Sequence, residues 1–128
     1  DATDNYPTRY ALNRACIAAG IPLVSGAAVR SEGQVAVFDP ARGGPCYRCL
    51  YPLDEAETAL GCSDSGVLAP VVGVVGSLQA MEALKVISGF GEPLRGRLLM
   101  LDLRTMEIRS LALSPREGCE DCAQLRSD

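Results

Sequence analysis

The sequence Pro45-Cys46-Tyr47-Arg48-Cys49 and its counterpart Cys119-Glu120-Asp121-Cys122 decide the fold, because they form a pair of C-x-x-C units far apart in the chain. We call residues 46–49 the first knuckle and residues 119–122 the second knuckle. Each knuckle can hold one edge of a tetrahedral Zn²⁺ site from a tight turn. Four cysteines leave no open position for a substrate, which indicates a structural metal on a fold larger than a zinc ribbon. Two disulfides or four unrelated thiols are the alternatives.

Composition narrows the class of protein. The 128 residues, 48% of them hydrophobic, fit a single domain over residues 1–128 with a packed core. The net charge is −4 and there is no long basic run, so nucleic acid is not an expected partner. The absence of histidine restricts a metal site to cysteine and carboxylate ligands. Six cysteines in a metal-binding arrangement indicate a reducing compartment and hence the cytoplasm.

The first 20 residues predict a polar turn and then a helix. The start, Asp1-Ala2-Thr3-Asp4, has neither Met nor an apolar leader, which is typical of a chain that begins within a fold. Pro7 stands in the first helical turn and Gly20 ends the helix. The helical spacing predicts a buried face formed by Leu12, Ala15, Cys16 and Ala19, with Arg9, Asn13 and Arg14 off that face.

The remaining pattern predicts strands on both sides of a long helix. Residues 21–25 read as a strand buried on both sides, residues 27–33 as a loop and residues 34–38 as a second strand. Residues 97–103 and 107–113 predict two more strands, joined as a hairpin. The predicted order of elements is helix, two strands, knuckle, loop, helix, two strands and knuckle. This order predicts an α/β layer.

The longest predicted element is a helix over residues 68–88, about 30 Å long. Gln79, Glu82 and Lys85 form one narrow polar stripe, so the rest of the circumference is expected to be buried. A transmembrane span is the alternative. Two charges within the stretch, together with Gly73 and Gly76, favour a core helix packed closely on a sheet, with no membrane.

Several motifs together resemble one family along nearly the whole chain. They are Asp1-Ala2-Thr3-Asp4-Asn5, Thr8-Arg9, Leu12-Asn13, Pro22-Leu23-Val24-Ser25-Gly26-Ala27-Ala28, Gly33-Gln34, both knuckles, Gly73-Val74-Val75-Gly76-Ser77-Leu78-Gln79-Ala80 and Glu82-Ala83. The chain resembles the carboxy-terminal half of a ThiF/MoeB/HesA adenylyltransferase, a prokaryotic relative of ubiquitin-activating enzymes. The resemblance implies the C-terminal part of a Rossmann-like mixed sheet with helices on both faces, with a Cys₄ zinc knuckle.

The resemblance also implies an activity and partners. In this family ATP and Mg²⁺ activate the C-terminal glycine carboxylate of a ubiquitin-like sulfur carrier (MoaD/ThiS-like), for molybdopterin or thiamine synthesis. The enzymes are homodimers. Their glycine-rich nucleotide loop and the arginine and lysine that meet the phosphates precede the point that matches Asp1, so this chain alone is expected to be inactive.

Two residues near the start match the family's nucleotide site. Asp4 matches the aspartate that holds Mg²⁺ and the phosphates, and Asn5 is its neighbour at the ATP. A carboxylate in a strand-to-helix turn suits Mg²⁺, and doubly wound folds place ligands there. The alternative is that Asp4 or Asn5 merely caps the helix.

Cys62 is the remaining candidate for chemistry. It lies in residues 53–66, an acidic stretch that predicts a mobile excursion. By resemblance this is the loop that crosses the carrier's tail, where some members form a covalent link to the carrier through a cysteine. No histidine exists to take the proton, and Asp64 nearby would raise the pKa of the thiol.

Two other functions compete with adenylation. A zinc-bearing docking module would bind a partner protein without catalysis. A nucleic-acid-binding zinc ribbon is disfavoured by the negative charge and by the long interval between the knuckles.

Overall fold

The computed structural model of the chain describes residues 1–52 and 65–126. In those ranges the chain forms helices and strands of ordinary length together with two short 3₁₀ turns. The helices are α1 (Tyr6–Ala19), α2 (Tyr47–Leu50) and α3 (Ala69–Ser88); the strands are β1 (Leu23–Val29), β2 (Glu32–Phe38), β3 (Arg97–Asp102) and β4 (Glu107–Ala112); the 3₁₀ turns are Pro40–Arg42 and Ala123–Arg126.

The strands form one four-stranded sheet in the order β1-β2-β3-β4, and every neighbouring pair is antiparallel. In the described ranges, parallel pairing is limited to two isolated bridges, Arg30 with Val67 and Val37 with Arg95. The predicted α/β class is confirmed, and so is the hairpin of β3 and β4.

The core is organised around β2, whose central residues are buried on both faces. Ala36 and Phe38 belong to a cluster with residues of α1 and α2, whereas Val35 and Val37 belong to a cluster with residues of α3. Successive side chains of a strand point to opposite faces of the sheet. Helices therefore cover both faces, α1 and α2 on one and α3 on the other.

The predicted loop over residues 27–33 is wrong. β1 continues to Val29 and pairs with β2 in register, so that Val29 lies opposite Glu32 across a tight turn. α3 lies close above the strands here, since a Cβ at Gly33 would stand 2.5 Å from Val75 Cγ2. The strand expected over residues 21–25 begins only at Leu23, and Ile21 is 54% exposed, so burial on both sides does not hold there.

The buried face of α1 also differs from the prediction. The helix ends at Gly20, as predicted, with that glycine in the left-handed conformation at φ 68°. Its buried residues are Tyr10 and Asn13, while Ala15 and Ala19 are exposed. Leu12 and Cys16 are half-buried against the hydrophobic core, and the buried side of the helix also carries Asn13, which contacts the polar surroundings of the cysteines.

The orientation of α3 is the reverse of the prediction. Glu82, from the expected solvent stripe, is 3% exposed, whereas Leu84 is 60% exposed. Glu82 is held inside because its Oε1 accepts the Leu94 N–H at 2.6 Å and its Oε2 lies 2.6 Å from Lys85 Nζ. The opposite side presents an apolar stripe to the surface: Val72, Val74, Met81, Leu84 and Ile87.

The glycines of α3 do not bring it close to the sheet. A Cβ added at Gly73 or Gly76 would meet nothing within 4 Å, whereas one at Gly26 would overlap the Gln79 side chain. Close packing is therefore supplied by glycines of the strands. By length and composition alone α3 could cross a membrane, a test that core helices also pass, and here it packs along β1 and β2.

Candidate functional site

The two knuckles meet at one end of the sheet and bring the four predicted cysteines together. The Sγ atom of Cys46 lies 3.9 Å from that of Cys49 and 3.7 Å from that of Cys119. The Sγ atoms of Cys49 and Cys122 are 3.4 Å apart, and all four sulfurs lie within 4.8 Å of one another. Tetrahedral Zn–S bonds of about 2.3 Å require sulfurs about 3.8 Å apart, so the geometry fits a metal such as zinc.

The same distances exclude disulfide bonds within the cluster. A disulfide needs sulfurs about 2.05 Å apart, and the five cysteines in the described ranges are all free. Cys46, Cys119 and Cys122 are buried, with exposures of 0–1%. The cluster is therefore closed to solvent on most sides, as expected for a structural site.

Hydrogen bonding within the cluster favours thiolate. The side-chain hydrogen bond from Cys46 lowers the pKa of Cys49 to about 4, and the same bond, with burial, raises the pKa of Cys46. Metal ligation requires the thiolate, so this arrangement suits a cation.

A cationic side chain, that of Arg126, contacts the cysteine cluster. Arg126 donates from Nη1 to Cys122 Sγ at 3.0 Å and from Nη2 to the Arg116 carbonyl at 3.0 Å. The hydrogen bond with Cys122 raises the pKa of Arg126, so this guanidinium stays charged. Four thiolates around a divalent cation carry a net charge of about −2, part of which Arg126 offsets.

A buried polar group beside the cluster escaped the sequence analysis. Asn13 donates from Nδ2 to Asp121 Oδ2 at 2.9 Å and to Cys46 Sγ at 3.5 Å. The other oxygen of Asp121 pairs with Arg48 Nη1 at 2.9 Å. The sequence could have indicated these neighbours by their position. Arg48 and Asp121 stand between the cysteines of their knuckles, where side chains lie next to the metal site.

A cleft of about 150 Å³ lies beside this centre, on the face of the sheet that α1 covers. Its aromatic side is a cluster of rings, in which the ring centroid of Tyr47 lies 5.0 Å from that of Tyr51 and 5.7 Å from that of Phe38. Tyr51 donates its hydroxyl to Gln34 Oε1 and accepts the Tyr10 hydroxyl at its carbonyl, at 2.6 Å. Because Tyr47 follows Cys46 directly, the first knuckle supplies part of the cleft wall.

Asp4 lies at the cleft and directly before Asn5, at the start of α1. Asn5 is the helix cap, since its Oδ1 accepts the Thr8 N–H at 2.9 Å. Asp4 lines the cleft, and its exposed carboxylate accepts a weak hydrogen bond from Asn5 Nδ2 at 3.5 Å. Capping is therefore the observed role of Asn5 and not of Asp4. Cys62 lies outside the described residues.

The comparisons with known proteins agree with this arrangement. The ThiF family profile matches residues 1–121. The molybdopterin-synthase adenylyltransferase of Escherichia coli K12 is 52% identical over 124 residues, which are 97% of this chain and 49% of that protein. The adenylyltransferase and sulfurtransferase MOCS3-1 of Zea mays is 51% identical over 123 residues, which are 95% of this chain and 26% of that protein.

A solved structure shares the fold. The crystal structure of E. coli MccB superposes with a TM-score of 0.74 at 18% identity, over 94% of this chain and 37% of that chain. The chain spans about half the length, or less, of the curated relatives it matches. Taken with the family match, which covers nearly all residues, these similarities show that the chain belongs to the ThiF family, close to relatives named adenylyltransferases.

Proposed function

We propose that this chain is part of an enzyme that adenylates the C-terminal glycine carboxylate of a ubiquitin-like sulfur carrier of the MoaD or ThiS type, in molybdopterin or thiamine synthesis. The observation that carries the proposal is the place of Asp4, an exposed carboxylate at the mouth of a cleft and directly before the cap of α1. A relative named molybdopterin-synthase adenylyltransferase supports the same reaction.

Asp4 is proposed to hold Mg²⁺ and, through it, the phosphates of ATP. A carboxylate is a hard oxygen ligand of the kind that Mg²⁺ prefers. Asn5 fixes the first turn of α1, and Arg9 steadies the preceding segment by donating from Nη2 to the Thr3 carbonyl at 2.8 Å. The start of α1 thus holds the Asp4 backbone in place beside the site that we assign to the nucleotide.

Zn²⁺ is proposed to bind Cys46, Cys49, Cys119 and Cys122. When bound there it would supply cross-links and no chemistry, because four thiolates leave no open position. The chain's own contribution is to bring the two knuckles together and to cover the sulfurs.

The isolated chain is proposed to lack adenylation activity. By family resemblance, the groups that neutralise the phosphates belong to the half of the relatives that this chain does not span. Electrostatic stabilisation of developing charge is usually the largest catalytic contribution. A homodimer in the cytoplasm is proposed on the same resemblance, and the apolar stripe of α3 offers surface for further contacts.

The test is ATP–pyrophosphate exchange in a full-length protein that contains this chain. Asp4→Ala should reduce carrier-dependent exchange at least 100-fold, with the zinc content and the melting temperature unchanged. Glu107→Ala removes an exposed carboxylate from β4 and serves as the matched control. Exchange retained in the Asp4 variant would refute the assignment of that residue.

Two further outcomes concern the whole proposal. ATP–pyrophosphate exchange catalysed by residues 1–128 alone would contradict the proposal that this chain holds only part of the active site. A full-length protein that binds the carrier but gives no exchange would identify a docking module instead of an enzyme.

A further inference from the structure

Asn13 is a buried polar side chain that the proposed chemistry does not use. It lies in the middle of α1 and is 1% exposed. A buried amide without partners is costly, so its place next to the cysteines calls for a physical reason.

The orientation of the Asn13 amide is fixed by its neighbours. The Asp121 carboxylate can only accept a hydrogen bond, and so can Cys46 Sγ when it binds the metal as a thiolate; both lie on the Nδ2 side, at 2.9 and 3.5 Å. The backbone N–H of Tyr47 can only donate, and it reaches Oδ1 at 2.9 Å. Exchanging the amide oxygen and nitrogen would break all three contacts.

These three bonds join segments that are distant in the chain. Asn13 is 33 residues from Cys46 and 108 residues from Asp121. One side chain thereby connects α1 to a cysteine of the first knuckle, to the backbone that follows it and to the middle of the second knuckle. Arg48 pairs with the other Asp121 oxygen at 2.9 Å and so compensates the carboxylate's charge.

We infer that Asn13 is a positioning residue of the cysteine centre, whose N–H bond to Cys46 Sγ tunes a metal-bound thiolate while its other bonds fix both knuckles on α1. The inference rests on the proposed zinc site. A hydrogen bond withdraws electron density from a thiolate, which makes the sulfur less reactive. Outer-shell partners of this kind typically contribute 10- to 100-fold to metal affinity.

The experiment separates the bond to sulfur from the bonds that only hold the fold. Asn13→Asp keeps an acceptor for the Tyr47 N–H but loses both donations and sets a carboxylate against Asp121. Adding Asp121→Asn restores a hydrogen bond between positions 13 and 121, with the donor and acceptor exchanged. Position 13 still has no donor for Cys46. Single Asp121→Asn completes the cycle and accounts for the weakened Arg48 pair.

Four measurements are made on each variant of the full chain: zinc content, the melting temperature, the rate of zinc transfer to 4-(2-pyridylazo)resorcinol, and the thiolate-to-cobalt charge-transfer bands after Co²⁺ substitution. Tyr10→Phe is the control, because it removes another buried hydrogen bond of α1, the one to the Tyr51 carbonyl at 2.6 Å. It leaves every donor to the cysteines in place.

We expect zinc transfer to be at least tenfold faster in Asn13→Asp, with the charge-transfer bands moved to lower energy. In the double variant the melting temperature should recover while the fast transfer and the moved bands persist. If the transfer rate and the bands recover together with the melting temperature, Asn13 only holds the fold and the inference is overturned. If the unsubstituted chain contains no zinc, it is the proposed metal site that fails.

Discussion

The knuckles and α3 both bury charged or polar side chains, but the partners of these side chains differ. At the knuckles, Asn13 is buried because it donates to Cys46 Sγ and to Asp121, and Asp121 is buried because Asn13 and Arg48 satisfy its two carboxylate oxygens. On α3, Glu82 is buried because it binds the backbone N–H of Leu94, and the apolar residues of the same helix are left exposed.

The difference shows what a pattern can specify. A C-x-x-C unit predicts that a second such unit lies next to it in the fold, since two thiolates in a tight turn need two more around the same ion. A polar stripe on a helix shows only that one side differs from the rest. Which side faces inward depends on what the sheet and the neighbouring loop offer, and here the loop offers the backbone N–H of Leu94, which Glu82 accepts.

The largest expected effect comes from breaking the knuckles. Cys119→Ala should remove zinc from the chain and lower the free energy of unfolding by about 3 kcal/mol or more, because metal binding and folding are coupled. Cys16→Ala, at a half-buried cysteine outside the cluster, is the control and should keep the metal. Metal analysis and thermal unfolding measure both. Equal melting temperatures for the two variants would show that the centre does not stabilise the fold.

A sharper comparison pairs two neighbours on α3. Glu82→Ala leaves the Leu94 N–H without its acceptor and Lys85 without its partner, which should cost about 2–4 kcal/mol. Leu84→Ala truncates a side chain that is 60% exposed and should change stability by less than about 0.5 kcal/mol. Urea unfolding measures both values. A larger loss for Leu84→Ala would mean that the helix faces the sheet as the sequence pattern first indicated.

The last comparison pairs a glycine of β2 with a glycine of α3. Gly33→Ala would place its Cβ 2.5 Å from Val75 Cγ2, and such overpacking should cost about 1–3 kcal/mol. Gly76→Ala meets nothing within 4 Å and should stabilise α3 by about 0.5–1 kcal/mol. Opposite shifts in melting temperature are therefore expected. Destabilisation by both substitutions would indicate that the glycines of α3 do lie against a neighbour.

The sequence was sufficient where local chemistry decides the outcome. Gly20 ends α1 because a left-handed residue is needed there, and the four cysteines meet because each pair is half of a site. It was insufficient where small residues can indicate either a loop or a strand under a closely packed helix. Residues 27–33 indicated a loop, yet β1 runs through to Val29, and Gly26 and Gly33 leave room for α3 above the strands.

Tertiary contacts decided the remaining features. Asn13 lies off the apolar face that helical spacing defines, and its partners come from positions 33 and 108 residues away. The spacing of apolar residues within one helix cannot indicate a contact with residues so far away in the chain. The family motif that includes Leu12-Asn13 marked the residue without giving its reason.

The distance between the knuckles along the chain sets an order of events during synthesis. Residues 50–118 must follow the first knuckle before the second is made, which takes about 3–14 s at roughly 5–20 residues per second. Throughout that time Cys46 and Cys49 are a nascent dithiol with half a coordination shell, open to oxidation or to a loosely held ion. The complete metal site therefore forms only after β4 has been translated. The metal then stabilises a sheet whose strands have all been made, and it does not nucleate the folding of that sheet.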